Sequence, residues 1–153
     1  MLPVAVMRRG QRMSESASHR GIRPKQNERG YRGAMKRDMD LIRTILLEVE
    51  KLPLSGANSE LEIPGHTPEE VTYHIMLCQE AGLLDAVDAS SFDGTYWIPT
   101  RLTYQGHEFL DAARADTIWN QAKTSVLKTT GTLTLEALKV AMAVLMQKAI
   151  TGH

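Results

Sequence analysis

At 153 residues, with 42% apolar and 24% charged side chains, the chain has the size and composition of one globular domain, which excludes a wholly disordered protein. The single cysteine, Cys78, excludes an internal disulfide, and no apolar run is long enough to span a bilayer. The net charge of zero conceals an asymmetry: residues 1–34 carry eight Lys and Arg against two Glu (+6), and the remainder carries ten cations against sixteen carboxylates (−6). These features predict a cytoplasmic protein that is neither exported nor inserted into a membrane.

The first 34 residues differ in composition from the rest of the chain. Residues 8–34 are rich in Arg, Gly, Ser and Gln and contain too few apolar side chains to offset the entropy lost on ordering. We therefore predict a disordered basic tail over residues 1–34 and a folded domain over residues 35–153. The tail could be an arm that binds nucleic acid by releasing phosphate counterions, or a solvated extension outside the functional domain.

The folded part should open with a helix that starts at Asp38 or Asp40 and stops before Pro53 and Gly56. Its apolar residues have the spacing of one helix face and are Leu41, Ile42, Ile45, Leu46 and Val49. After a polar loop, residues 61–63 could form one short strand.

A second helix is predicted to follow Thr67-Pro68-Glu69-Glu70. In this run Thr67 and Glu70 suit a capping box, and proline suits the first helical position. Gly82 should end the helix in a left-handed conformation. The core face of the helix should be lined by Val71, Ile75 and Cys78 and widened by Leu77 and Ala81.

A β-hairpin is predicted around Asp93-Gly94, a dipeptide typical of two-residue hairpin turns. The flanking residues 84–91 and 95–102 should form its strands. Because proline has no amide hydrogen, Pro99 indicates an edge strand or a ladder position that faces solvent. Strict alternation along the second strand would place Tyr96, Ile98 and Leu102 on one face, and Trp97, Pro99 and Arg101 on the other.

The C-terminal third should be helical. Thr103 should cap a helix that carries Phe109 and runs or bends through Asp116. The last helix, from Thr134 to about Ile150, is apolar around most of its circumference, so it must be covered on more than one side. A homodimer through this helix is therefore one expectation.

The predicted order is helix, short strand, helix, glycine turn, two-stranded hairpin and helix. This is the order of a winged helix-turn-helix whose usual second helix is very short or missing. The predicted fold is therefore α+β and winged helix-turn-helix-like, mostly helical, with a two-stranded wing hairpin and a C-terminal apolar helix.

Several runs of residues carry a resemblance to a known family. They are Met35-Lys36-Arg37-Asp38-Met39-Asp40-Leu41, Tyr73-His74-Ile75, Glu80-Ala81-Gly82-Leu83, Arg101-Leu102-Thr103-x-x-Gly106-His107-Glu108-Phe109-Leu110-Asp111 and Ile118-Trp119. Together they resemble domain-of-unknown-function family 2513, an uncharacterised bacterial and phage family. The resemblance extends from Met35 to about Ile150 and implies a domain that starts at or near Met35. It implies no activity.

If the fold is a DNA-binding winged helix, the helix after Thr67 should enter the major groove. The side chains expected to read bases are Thr72, Tyr73, Met76 and Gln79, while Arg101 and the wing would contact phosphate. The function predicted first is therefore a non-enzymatic regulatory module that binds DNA.

The distribution of charge favours an alternative. No Lys or Arg lies between Lys51 and Arg101, whereas eight carboxylates lie there: Glu60, Glu62, Glu69, Glu70, Glu80, Asp85, Asp88 and Asp93. Carboxylates repel the phosphate backbone, which supplies much of the affinity for DNA. The alternative function is a protein-interaction or oligomerisation module whose acidic face meets a basic partner.

No catalytic, cofactor or metal site is predicted. His74 and Cys78 lie four residues apart and could share a metal with His66, or with His107 and Glu108, but a half-buried histidine and a core cysteine are the commoner explanation of this spacing. On an apolar face the Cys78 thiol would be inert as a nucleophile. His107, Glu108 and Asp111 could form a partner site beside the wing, or the two carboxylates could favour the N-terminal dipole of their helix.

Overall fold

The computed structural model describes residues 35–54 and 60–152. These residues form five helices and one antiparallel two-stranded sheet: α1 Met39–Glu50, α2 Pro68–Glu80, β1 Leu84–Asp88, β2 Trp97–Leu102, α3 Tyr104–Ala113, α4 Asp116–Thr130 and α5 Leu135–Thr151. The predicted α+β class is thus confirmed, with its hairpin and C-terminal helix. The basic tail predicted for residues 1–34 lies outside the described residues. None of the described helices is long and apolar enough to cross a membrane.

Local sequence signals fix the starts of the first two helices. The Asp38 carboxylate accepts hydrogen bonds from the amides of Asp40 and Leu41, which caps α1. At α2, the Thr67 hydroxyl and the Glu70 carboxylate each accept the other's backbone N–H, so the predicted capping box is confirmed. Gly82 follows α2 with a φ of +76°, the left-handed conformation predicted for it.

Residues 61–63 do not form the predicted strand. Ile63 is buried, but its carbonyl accepts a hydrogen bond from His66 N (3.2 Å) in a turn rather than from a neighbouring strand. Among the described residues, β1 and β2 pair only with each other. A strand needs a neighbouring strand that pairs with its amides and carbonyls. The apolar residues of this segment were therefore not enough to make it a strand.

The hairpin strands are shorter than predicted and contain a register shift. Asp85 pairs with Arg101, but the next residue, Ala86, pairs with Pro99, so Thr100 is an extra residue on β2. The Thr100 hydroxyl donates to the Asp85 carbonyl at 3.0 Å, so this carbonyl has a hydrogen-bond donor at the register shift. Beyond the strands, the turn is closed by a bridge between residues 91 and 94.

The extra residue reverses the alternation of side chains along β2. Pro99 and Leu102 are both buried, although strict alternation places them on opposite faces. The predicted division of β2 into two faces was therefore wrong beyond Thr100. Pro99 lies beside the irregularity, where a missing amide hydrogen is tolerated.

The core is formed by α1, α2, the hairpin and α3, and α4 and α5 extend it. All five apolar residues predicted for the buried face of α1 are buried. Trp119 from α4 is 1% exposed and meets Phe109 edge to face, with ring centroids 6.2 Å apart. The largest fully buried side chains include Leu41, Ile45, Leu46, Ile75, Leu83, Leu84, Leu110, Trp119, Leu138 and Met142.

The helix predicted to run or bend through Asp116 is two helices, because Arg43 binds the junction between them. Its guanidinium donates to the carbonyls of Ala113 (2.7 Å) and Arg114 (2.8 Å) and to the Asp116 carboxylate (2.7 Å). Those carbonyls would otherwise be unpaired at the end of α3. A residue 70 positions away in the chain therefore sets this helix boundary.

Asp40 links the start of α1 to α4. Trp119 Nε1 (2.7 Å) and Lys123 Nζ (2.8 Å) both donate to its Oδ1. Partial burial by itself would raise the pKa of the Asp40 carboxyl, but the hydrogen bonds from Lys123 and Trp119 outweigh it, so that the pKa is lowered. Two residues of the family resemblance, Asp40 and Trp119, are thus direct structural partners.

This lowered pKa predicts a loss of stability in acid. Since the folded state holds the Asp40 proton more weakly than the unfolded state does, the contribution of Asp40 is present above its unfolded pKa of about 4. It should be lost as the pH falls through the folded pKa. We expect the free energy of unfolding of the wild type to fall more steeply below about pH 4 than that of Asp40→Asn, measured by urea titration. Parallel pH profiles for the two proteins would contradict this role of Asp40.

The last helix is covered on one side only by the described residues. It packs on α3 and α4, burying Leu138 and Met142. On its outer side Val140 is 63% and Val144 49% exposed. The expected cover on a second side is therefore not supplied by the described residues, and the outer face of the helix is exposed apolar surface.

Candidate binding surface

The outward face of α2 carries two of the predicted recognition residues. Tyr73 and Met76 lie there between Glu69 and Glu80, opposite the side of the helix that buries Val71, Ile75 and Cys78. Both predicted side chains are half-buried, and the two glutamates are exposed. We call the face formed by these four residues, together with the hairpin, the α2–hairpin surface. It is acidic, because no Lys or Arg lies between Lys51 and Arg101.

Thr72 and Gln79, also predicted to read bases, hold the hairpin against α2. Thr72 Oγ1 accepts a hydrogen bond from Trp97 N at 2.6 Å. Gln79 Oε1 accepts one from Ala86 N on the other strand. Both side chains are half-buried, and their oxygens satisfy amides of the two strands. Their positions seven residues apart place them on one side of the helix, but only the tertiary structure shows that this side faces the hairpin.

The fifth predicted residue, Arg101, lies on β2 and is engaged within the hairpin. Its guanidinium contacts the Asp85 carboxylate at 2.7 Å and donates to the Leu102 carbonyl at 3.1 Å. Asp85 is also its cross-strand neighbour. The only arginine of the hairpin is thus paired with a carboxylate, although about half of its side chain is exposed.

The hairpin tip carries an aromatic residue that the sequence pattern did not single out. Phe92 is fully exposed, and Tyr96 and Val87 are exposed nearby in the hairpin. Asp88 and Asp93 flank the turn, and the hydroxyl and amide of Ser90 lower the pKa of the Asp88 carboxyl by hydrogen bonding. The sequence signal for an exposed aromatic residue was its position next to the Asp-Gly turn, because a side chain at a tight turn has little core within reach. The tip thus combines apolar surface with negative charge.

His74 and Cys78 have structural positions inside the domain. His74 is 2% exposed, its Nε2 accepts from Asp38 N (2.8 Å), and its Nδ1 donates to the Glu70 carbonyl (2.7 Å). Cys78 is fully buried, and burial raises the pKa of its thiol to about 12. Both ring nitrogens are therefore occupied and the thiol stays protonated. Among residues 35–54 and 60–152, no three His, Cys, Asp or Glu side chains are grouped to hold a metal.

The Leu-Thr-x-x-Gly run of the family resemblance forms a tight junction between β2 and α3. Thr103 N donates to the Leu83 carbonyl (3.1 Å), and the Thr103 hydroxyl, which donates to the Gly82 carbonyl, also accepts from Gly106 N (3.0 Å). A Cβ added at Gly106 would lie 1.8 Å from the Leu83 carbonyl oxygen. The glycine is therefore required by close backbone packing.

The polar residues that follow this glycine are exposed on α3. Asp111 contacts Arg114 (3.1 Å), which also contacts Glu50 of α1 (2.7 Å). Glu108 forms a hydrogen bond with Tyr104 that raises the pKa of the tyrosine. Neither carboxylate lies in the first turn of α3, so the expected interaction with the N-terminal dipole was wrong. Their observed partners are side chains of this chain.

Comparison with known proteins identifies the family but gives no activity. Residues 36–132 match the family described as Hypothetical protein (DUF2513). An uncharacterised protein of Haemophilus influenzae (strain ATCC 51907 / DSM 11121 / KW20 / Rd) is 44% identical over 117 residues, which cover 74% of this chain and 98% of that protein. No solved structure matches the chain significantly. On the strength of the match and of this relative, the chain belongs to the DUF2513 family.

Proposed function

We propose that the protein is a non-enzymatic regulatory module of the winged helix-turn-helix type, and that its α2–hairpin surface binds a protein partner. The observation that carries this proposal is the chemistry of that surface. It displays Tyr73, Met76 and the fully exposed Phe92 among carboxylates, and Arg101 is paired with Asp85. Aromatic and thioether side chains make good contacts with proteins, and the surrounding carboxylates suit a partner with a basic rim.

DNA binding is the second candidate, and the order of elements favours it. A helix followed by a two-stranded hairpin is the order in which winged helices present a recognition helix and a wing. In this case Tyr73 and Met76 would contact bases with help from Thr72 and Gln79, and Arg101 would contact phosphate. The positive charge that binding needs would have to come largely from residues 1–34, which carry +6 (eight Lys and Arg against two Glu).

A DNA titration separates the two candidates. Binding of fluorescent duplex DNA would be measured at low and moderate salt for the full chain and for a chain that begins at Met35. We expect no binding by the shorter chain, and at most weak, steeply salt-dependent binding without sequence preference by the full chain. Sequence-preferring binding by both chains would favour the DNA candidate and oppose the protein partner.

The protein partner is tested by site-specific photo-crosslinking in cells. A benzophenone amino acid in place of Phe92 should cross-link to a discrete protein. The cross-link should be lost when Glu69 and Glu80 are both changed to lysine, because reversed charges would repel a basic rim. The same photo-probe in place of Tyr104, which is also exposed but lies on α3, is the matched control. The same pattern of products from both positions would argue against a specific partner at the hairpin.

A further inference from the structure

The outer face of α5 has an order of residues that fits a second copy of itself. Glu136, Val140, Val144 and Lys148 are spaced four residues apart, so they form one ridge along the helix. All four are exposed. The ridge reads acid, valine, valine, base, and its midpoint lies at Met142, which is buried on the opposite side.

We propose that two copies of the chain associate through this ridge, with their α5 helices antiparallel about a two-fold axis near residue 142. Such an axis pairs each residue with the one equally far on the other side of the midpoint. Val140 of one copy then meets Val144 of the other, and Glu136 meets Lys148, each contact occurring twice. The arrangement covers the exposed valines and matches opposite charges at both ends.

Charge complementarity selects the antiparallel arrangement and the second copy as occupant. In a parallel pair, Glu136 would face Glu136 and Lys148 would face Lys148, and both contacts would be repulsive. Glu136 and Lys148 are twelve residues apart, or about 18 Å along the helix, and opposite charges at both ends of the ridge fix the register. The small side chain of Ala143, exposed beside the valines, leaves room for close approach.

The proposed association uses a helix outside the family match, which ends at residue 132, before α5 begins. This association does not depend on the ligand of the α2–hairpin surface, so each proposal can fail without the other.

Sedimentation equilibrium of the full chain tests the association. The wild type should behave as a dimer whose dissociation is concentration-dependent, and Val144→Asp should be monomeric, because it places charge at the centre of the interface. Lys128→Glu, a charge change on the exposed surface of α4, should leave the dimer unchanged. Circular dichroism checks that every variant is folded. A wild type that is monomeric at every concentration, or a Val144→Asp protein that still dimerises, would overturn the proposal.

A charge swap tests the antiparallel register. Glu136→Lys and Lys148→Glu should each raise the dimer Kd by roughly tenfold, because each creates two like-charge contacts. The double variant should return the Kd to near the wild-type value, since the two exchanged side chains would again bring opposite charges together at both ends of the ridge. The readout is Kd rather than Tm, because the swap also reverses favourable charges at the helix ends. Additive weakening in the double variant would refute the antiparallel pairing.

Discussion

Gly106→Ala is expected to destabilise the protein by more than about 3 kcal/mol, the largest effect that we predict for a single methyl group. In an unconstrained helix, alanine in place of glycine would stabilise by about 1 kcal/mol. Here the new Cβ would lie 1.8 Å from the carbonyl oxygen of Leu83, a backbone atom that cannot move aside like a flexible side chain. Relief would require α3 to move away from the turn after α2, which breaks the hydrogen bonds of Thr103.

Urea unfolding followed by circular dichroism measures this effect, and Gly131→Ala is the matched control. Gly131 has a φ of +78° and no atom within 4 Å of an added Cβ, so alanine there costs only backbone strain, about 1–2 kcal/mol. The two variants should therefore differ clearly, although they make the same chemical change. Equal stabilities, or a Gly106→Ala protein as stable as wild type, would show that the junction is not tightly packed.

Trp119→Ala is expected to cost about 3–5 kcal/mol, a large part of the roughly 5–15 kcal/mol that stabilises a typical domain. The substitution would leave a cavity against Phe109 and remove the hydrogen bond from Nε1 to Asp40. It would also remove the ring whose centroid lies close to the cationic groups of both Arg43 (5.7 Å) and Lys123 (5.8 Å). The result should be a Tm lowered by roughly 10 °C or more.

The second tryptophan of the chain supplies the control for this experiment. Trp97 is only half-buried, so Trp97→Ala removes the same side chain from a position with less buried surface. Its loss of stability, measured by the same denaturation, should be clearly smaller. If Trp97→Ala proved the more damaging, the hairpin rather than the α1–α4 contact would be the main centre of stability.

The residues that carry the family resemblance mostly have structural positions. Gly106 and Thr103 form the junction between β2 and α3, Asp40 binds Trp119, and His74 bridges α2 to the start of α1. Such contacts explain why a resemblance built on these residues indicates a fold without an activity. Of the residues that define the α2–hairpin surface, Tyr73 and Glu80 belong to those runs, whereas Glu69, Met76 and all of α5 lie outside them.

Only part of the candidate site was predictable from the sequence. The period of α2 correctly separated its core face from Tyr73 and Met76, because a helix has one fixed repeat. The same period left Thr72 and Gln79 on a flank whose neighbour was unknown. The hairpin lies on that flank, and its amides occupy both oxygens. Phe92 was missed although it lies next to the Asp-Gly turn, because the sequence pattern does not show whether the tip of a hairpin packs against another part of the chain.

Features that depend only on neighbours along the chain could be predicted without the structure. These are the caps of α1 and α2, the left-handed Gly82 and the apolar stripe of α1, since each follows from backbone hydrogen bonding or helical period within a few residues. Other features depend on contacts between residues that are distant in the chain. Arg43 divided α3 from α4, and the extra Thr100 turned Pro99 toward the core. Packing against α3 and α4 left the outer side of α5 exposed, because a helix buries only the side that meets a neighbour.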